Sequence, residues 1–508
     1  MRLFETLLVS SVLLVAIIQM VSSFKEWRNK ENRYIDSNSP QNLLLIVSFV
    51  LFVIHFFLEG IRWQLYYLYA YLIFALIVTF LLKKTLLKNW KGLRTFIEFL
   101  NLFPLIISIF LSWVLPVPKL IEPVGEYNVG RIEKHLILEE RVNGEAFSIL
   151  SDLEENTNRE LMITFWYPTY EKKKDTSWFL LEDKTTPTRL VINYLNKNFG
   201  LTMPVNSLNH AKLTKVKASL DVNPIENSDT PLVVYTHGWP AHRHFAADQL
   251  INLASHGYIV VSINHTGLSL FTEFPDGRRV DNIPGVQLDG KTSDLMFGMA
   301  EDIDSVVRYL KSDEVKENNL ISEISKAIDF NDINVIGHST GGGAGILYCS
   351  IYQSCSSYMG HDTYGGPTLD GKYPVNFDAP AVYIYSEDWF DSSGDESWPT
   401  EIDNYLNNFK NVNTYGYYIS DTGHYDFLAF GSLSPLAGRT ILKGPISYED
   451  SYKIVDGLNL QLIRDKKITF DGIQEKYEGN DRDTLKLLQK EAELILLNGN
   501  ITMEDQAP

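Results

Sequence analysis

Two cysteines in 508 residues are too few for a disulfide scaffold or for a multi-cysteine zinc or iron–sulfur site. Basic residues are scarce as well. Lys and Arg number 45 against 63 Asp and Glu, and a net charge of −18 argues against a nucleic-acid surface, which needs clustered cations. Internal repeats and low-complexity tracts are missing, which excludes solenoids and linker-dominated chains. The mean hydropathy of −0.09 is that of an ordinary soluble protein, but it averages two unlike parts.

Residues 1–118 hold the long apolar runs. Four of them, 7–24, 43–58, 63–82 and 96–115, approach the ~20 residues that cross a bilayer, and their short spacing predicts two transmembrane hairpins. The second run is the shortest and contains His55, while the fourth contains Glu98, Asn101 and Pro104, so both suit partial placement in the interface. Arg2, an apolar stretch and Val21-Ser22-Ser23 also have the form of a signal peptide, yet three further runs follow, which favours four spans. Apart from Glu98 near an end the runs show no charged relay, so an anchor is expected rather than a transporter. Tyr66, Tyr67, Tyr69 and Tyr71 with Trp63 suit an aromatic belt at a helix end.

Charge sets an expected orientation. Loops one and three carry nine Lys/Arg against three to five on the other side, which predicts that those loops are cytoplasmic and that the rest of the chain lies outside the cell membrane. Residues 1–120 contain 12 Lys+Arg and 6 Asp+Glu; the other 388 contain 33 and 57. A basic anchor thus precedes an acidic domain.

Beyond residue 118 short β-branched runs alternate with amphipathic helices. Strands are expected at 161–167, 232–236, 258–264, 333–336, 381–385 and 414–419, and helices at 188–199, 245–255 and 299–311. Apolar strands separated by helices indicate an α/β fold, a mostly parallel sheet covered on both faces. The polar stretch 171–228 is a candidate cap or insertion. Residues 119–465 form the expected catalytic domain, and 466–508 a charged helical tail, the charge-rich stretch from 448 onward carrying helical patterns at 452–464 and 484–497.

The strongest local signal is Gly337-His338-Ser339-Thr340-Gly341, directly after an apolar strand and before the small-residue run Gly342-Gly343-Ala344-Gly345. This is the G-x-S-x-G elbow in its strand, turn and helix context, and it nominates Ser339 as nucleophile in an α/β-hydrolase fold. A phosphate-binding turn is the bland alternative, but the lysine of a P-loop is missing. A serine hydroxyl also needs a base and an oxyanion hole. His237-Gly238-Trp239-Pro240 follows the strand at 232–236 as the His-Gly loop of this fold does, which nominates the main-chain N–H groups of Trp239 and Thr340 as oxyanion donors. His237 precedes the serine, whereas this fold orders its triad Ser, acid, His, so it is not the base. Of the two histidines after Ser339, His361 comes too soon, and His424 in a Gly-marked loop after the last strand is the expected base. The acid stays open on this reading: Asp362 at one strand end, Glu387 or Asp388 at the next, with Asp370 and Asp391 as turn residues.

The His-Gly loop, the GHSTGGG elbow and Gly257-Tyr258-Ile259-Val260-Val261 after Leu253-Ala254-Ser255-His256 resemble the platelet-activating-factor acetylhydrolase family of the plasma and isoform II type. Tyr127-Asn128-Val129-Gly130 and Phe165-Trp166-Tyr167-Pro168 are similar to that family too; the resemblance spans about residues 120–465. It implies Asp362 as the acid, with Thr363 departing from the usual small neighbour, and it implies hydrolysis of short or oxidised sn-2 acyl groups of phospholipids. Other esters, as for cutinase-like enzymes, remain open because elbow and triad specify only acyl transfer. A catalytically inactive membrane interaction protein is the alternative of another class, disfavoured because every triad position is filled. No cofactor, metal or nucleic-acid partner is expected; the partners are an ester substrate and the membrane, and oligomeric state is open. His242-Arg243-His244 has metal-ligand spacing but no evident carboxylate cluster, so a surface or mouth position and a solvated Arg243 are expected. Cys349 and Cys355 are either an exported disulfide or free thiols.

Overall fold

The computed structural model describes residues 2–29, 40–81, 91–288, 290–387, 414–419, 421–436 and 444–468. Asp388, Asp391 and the expected helix at 484–497 lie outside them. The chain divides into two compact units: residues 1–118 with 208–213 and 433–435, and the remainder.

The first unit is helical, with Leu3–Asn29, Pro40–Leu58, Tyr66–Leu76 and Lys91–Val114 as its α-helices. Four segments, Leu3–Asn29, Pro40–Leu58, Trp63–Phe80 and Thr95–Val114, are long and apolar enough to cross a membrane. Leu8, Val12, Leu68, Leu72 and Leu105 pack between the helices, while residues such as Phe57 and Phe103 point outward.

One expectation about this unit, the four-tyrosine belt, is corrected, and a charged cluster flanking the apolar runs is added to it: Arg62 pairs with Glu5, Arg2 pairs with Glu5 at 3.0 Å, and Glu59 accepts the Phe4 and Glu5 amides. His55 bridges Glu59 at 2.9 Å and the Tyr69 hydroxyl at 2.8 Å. Glu5 and Glu59 sit just outside the apolar runs, so each run read alone concealed them. Tyr69 and Tyr71 are buried, Tyr71 donating to Gln19 Oε1 at 2.7 Å, so of the four tyrosines only Tyr66 and Tyr67 are placed for a belt.

The second unit is built on a nine-stranded sheet. Its strands are β1 (Asn128–Val142), β2 (Asn158–Thr169), β5 (Ser219–Leu220), β6 (Thr230–Thr236), β7 (Ile259–Asn264), β10 (Ile328–His338), β11 (Ser357–His361), β12 (Ala381–Ser386) and β13 (Thr414–Ile419), in the order β13-β12-β11-β10-β6-β7-β2-β1-β5. Two short antiparallel pairs, β3 (Thr176–Ser177) with β4 (Lys215–Val216) and β8 (Phe271–Glu273) with β9 (Arg279–Asp281), stand apart from it. From β7 to β13 the pairing is parallel; β2 runs antiparallel to both β1 and β7.

Burial on both faces explains the continuous apolar strands. Val233, Tyr235, Val260, Ile336, Met359 and Val382 face the helices Ala247–Ser255 and Tyr448–Asp465. Their neighbours Leu232, Val234, Val261, Val335, Tyr358 and Tyr383 face Thr292–Lys311, Asn319–Ala327 and Thr340–Tyr352. At ~1.5–3 kcal/mol for each large apolar side chain removed from water, this sandwich is the main source of stability. Cys349 and Cys355 are joined as a disulfide across the end of the helix Thr340–Tyr352, with Cα atoms 5.2 Å apart. All six expected strands are present. Unexpected are β1, whose Glu, Lys and Arg break the apolar pattern, and the two-residue β5.

Candidate active site

Ser339 ends β10 with φ 55° and ψ −124°, a left-handed conformation that lifts it out of the sheet and into the turn before the helix Thr340–Tyr352. Only glycine fits around it. A Cβ on Gly337 would lie 2.5 Å from Gly341 O, and one on Gly341 would lie 2.3 Å from Thr236 O. The His-Gly loop approaches as closely: a Cβ on Gly238 would lie 2.6 Å from the Ser339 Cβ. The helix starts with Gly342 N–H donating to Ser339 O at 2.9 Å, so the Thr340 amide, at its first position, has no intrahelical acceptor. The Trp239 amide belongs to the loop that abuts the serine.

Strand β11 lies beside β10 with His361 opposite His338, so Asp362, the next residue, leaves the sheet at the same level as Ser339. Its backbone is also left-handed, φ 43°, and its amide donates to Ile384 O at 2.7 Å. The fully buried carboxylate accepts the Ser386 amide at 2.5 Å, the Ser386 hydroxyl at 2.6 Å and His424 Nδ1–H at 2.9 Å. His424 begins the 3-10 turn His424–Phe427 after β13, and its main-chain oxygen accepts from His338 Nε2 at 3.0 Å. Asp426 Oδ2 braces the same turn by accepting the Gly423 and Gly444 amides, each at 2.8 Å.

Of the other candidate acids, Asp388 and Asp391 lie outside the described residues, and Glu387 and Asp370 have other partners. Glu387 Oε2 accepts the Asp421 amide at 2.5 Å, and Asp370 accepts the Lys372 amide at 2.8 Å in a local turn. His361 is buried against Phe427 and bonded to Asn459 at 3.0 Å; burial pushes its pKa down to about 4. The departure at Thr363 is accommodated by two glycines: a Cβ on Gly342 would lie 2.6 Å and one on Gly360 2.1 Å from its hydroxyl, which meets the Tyr358 hydroxyl at 3.2 Å.

The HxH reading is corrected. His242, Arg243 and His244 are buried and not at a surface or mouth. Arg243 pairs with Glu133 at 2.8 Å, His244 Nε2 lies 3.3 Å from Glu133, and His242 stacks on Phe271. Burial first, then the adjacent arginines Arg131 and Arg243, push the His244 pKa down to about 3. Among the described residues no group of three or more His, Cys, Asp or Glu is placed to hold a metal ion.

Three contributors went unnoticed in the sequence. Ser386 clamps Asp362, and its only signal is its place at the end of the apolar strand before Glu387. His265 and Asp302 form a buried couple at 2.9 Å behind the His-Gly loop. Burial opposes charge on Asp302, yet Arg159 and Arg141 hold its carboxyl well below the usual range.

Residues 118–275 match the family model described as platelet-activating factor acetylhydrolase, isoform II. The match takes in β1, β2, the His-Gly loop and β7 and stops before the elbow. No curated protein matches the chain. Among solved structures, a ferulic acid esterase from Streptomyces cinnamoneus is similar, with a TM-score of 0.51 and 18% identity over 69% of this chain and 93% of that one. By family match and sheet order the chain is a carboxylic ester hydrolase of the α/β-hydrolase fold, similar over residues 118–275 to platelet-activating factor acetylhydrolase, isoform II.

Proposed function

We propose that the protein is a membrane-anchored serine ester hydrolase acting on phospholipids with short or oxidised acyl groups, through Ser339 as nucleophile, His424 as base and Asp362 as the acid. The observation that carries the triad is the 2.9 Å bond from His424 Nδ1 to the buried Asp362, at the strand end next to the left-handed Ser339. With Nδ1–H donated to the carboxylate, Nε2 is left as the acceptor that a base requires. His424 takes the Ser339 proton as Oγ attacks the ester carbonyl, and the imidazolium so formed is stabilised by Asp362. The amides of Trp239 and Thr340 receive the oxyanion. His424 then protonates the departing alkoxide, and water, activated by the same imidazole, attacks the acyl-enzyme and returns Ser339 to its free form.

Phospholipid as substrate is supported by the family match and by four helices apolar enough for a bilayer. The catalytic part is proposed to lie outside the cell membrane, on the Lys/Arg bias of the loops. The test is labelling of the full chain by a fluorophosphonate probe, with Ser339→Ala as control, beside a panel of phospholipids of rising sn-2 chain length and simple acyl esters. Labelling that disappears in Ser339→Ala and turnover confined to short or oxidised sn-2 chains is expected. Labelling that survives the substitution overturns the nucleophile, and turnover of simple esters alone overturns the phospholipid assignment.

A further inference from the structure

The inference rests on the ester-hydrolase reading and concerns His237, which that mechanism leaves without a task. Its imidazole is fully enclosed, with Nδ1 2.9 Å from Gly238 O and Nε2 3.3 Å from the His265 main-chain nitrogen. Nε2 also lies 3.1 Å from the Ser269 hydroxyl, which reaches the His265 carbonyl at 2.8 Å as well. A carbonyl only accepts and a main-chain N–H only donates, so Nδ1 carries the proton, which goes to the Gly238 carbonyl, and Nε2 is the acceptor, toward which the Ser269 hydroxyl can act only as a donor. His265 is itself held on both sides, by Asp302 Oδ2 at 2.9 Å and by the Thr236 hydroxyl at 2.8 Å. Gly238 O also accepts the Ala241 amide at 2.8 Å.

The Gly238 carbonyl and the Trp239 N–H belong to one planar trans peptide, so they point in opposite directions. Fixing the oxygen on one side therefore fixes the donor on the other. The loop needs such a hold, because position 238 must be glycine, a Cβ there lying 2.6 Å from the Ser339 Cβ, and glycine leaves the adjoining peptide freest to rotate. We propose that His237 is a positioning residue: through its Nδ1–H it holds the Gly238 carbonyl and so aims the Trp239 N–H at the oxyanion that forms when Ser339 attacks. Burial above all, and then the neighbouring His265, keeps the His237 pKa well below the usual histidine range, so the donor–acceptor pattern persists at neutral pH.

The test uses the full chain in detergent with p-nitrophenyl acetate, and with a trifluoromethyl ketone as transition-state analogue. Turnover by the wild type that Ser339→Ala abolishes is the first arm, and its failure overturns the ester-hydrolase reading itself. With that turnover in hand, His237→Leu is expected to lose ~10²–10³-fold in kcat at nearly constant KM, the loss seen when one oxyanion donor is removed. Ketone affinity is expected to fall in step with kcat/KM. His237→Asn, whose Nδ2 reaches the place of Nδ1, is expected to recover kcat to within about tenfold of the wild type, and His237→Gln, whose amide reaches the place of Nε2, to stay at least about tenfold below Asn. An unchanged kcat in His237→Leu, or unchanged ketone affinity, overturns the proposal. Should His237→Leu melt out, Asn and Gln carry the decision, and equal activity of the two overturns it.

Discussion

In the helical unit large apolar side chains point outward, Phe57 76% and Phe103 68% exposed, while Glu5 and Arg62 are enclosed among the helices. In the sheet unit the pattern is reversed for apolar groups, with Phe165, Trp166 and Val261 fully enclosed between layers, yet charge is buried there as well, as Asp302 with Arg159 and as Arg243 beside the partly exposed Glu133. On the proposed membrane placement of the helical unit, apolar groups follow the surroundings: oil-facing surfaces gain nothing by hiding them, whereas water expels them. Buried charge obeys one rule in both units. It is tolerated where an opposite charge or hydrogen-bond donors replace the lost water, as the Ser386 donors and His424 do for Asp362, because an isolated ion away from water costs several kcal/mol or more.

The comparison can be broken most sharply at the catalytic centre. Ser339→Ala is expected to lower kcat on a p-nitrophenyl ester by as much as ~10⁶-fold while leaving the melting temperature within a degree or so, since it removes one oxygen from a rigid turn. A large drop in melting temperature would mean that the elbow also carries the fold. Asp362→Asn is expected to cost ~10⁴-fold, because an amide cannot hold His424 in the needed tautomer; full activity would return Glu387 to candidacy.

The helical unit is tested by its ion pair. Glu5→Leu leaves the Arg62 guanidinium with only the Leu115 and Ser112 carbonyls, and a loss of ~3–5 kcal/mol is expected in denaturant unfolding of the detergent-solubilised chain. The double substitution Glu5→Leu, Arg62→Leu should regain most of it. Equal losses in single and double variants would show that the pair is not the unit's anchor.

Acid is expected to separate the units more gently. His361 and His244 are held neutral by burial, at about 4 and about 3, so below pH 6.5 the unfolded chain binds protons that the folded one refuses. Stability is therefore intact above that pH and falls as pH drops toward about 4, by up to ~1.4 kcal/mol per pH unit for each such histidine. Asp248, pushed up to about 6 by burial, works in the opposite sense and offsets one histidine between pH 6 and 4. Tryptophan fluorescence melts from pH 7.5 to 4.5 measure this, and a flat profile would contradict the burial of these rings.

Much of the fold was legible because its signals are contiguous. A run such as 232–236 needs no partner to declare itself a buried strand, and Gly337 of the Ser339 turn is demanded by a clash within the turn itself, with Gly341 O, although Gly341 answers to the distant Thr236 carbonyl. Expectation failed where polarity met burial. His242, Arg243 and His244 read as solvent-facing because Glu133, more than a hundred residues earlier on β1, is invisible as their partner until the strands are laid side by side.

Residue order alone therefore determined the nucleophile's turn, the order of strands and helices along the chain, and the apolar runs of the first 118 residues. These follow from backbone sterics and side-chain periodicity, which act over a few residues. Which carboxylate meets His424, and which charges can leave water, was decided only in three dimensions. Asp362 and His424 are 62 positions apart, and Glu5 and Arg62 are 57 apart. Electrostatic pairing depends on separation in space, and that separation is set by how the strands and helices pack.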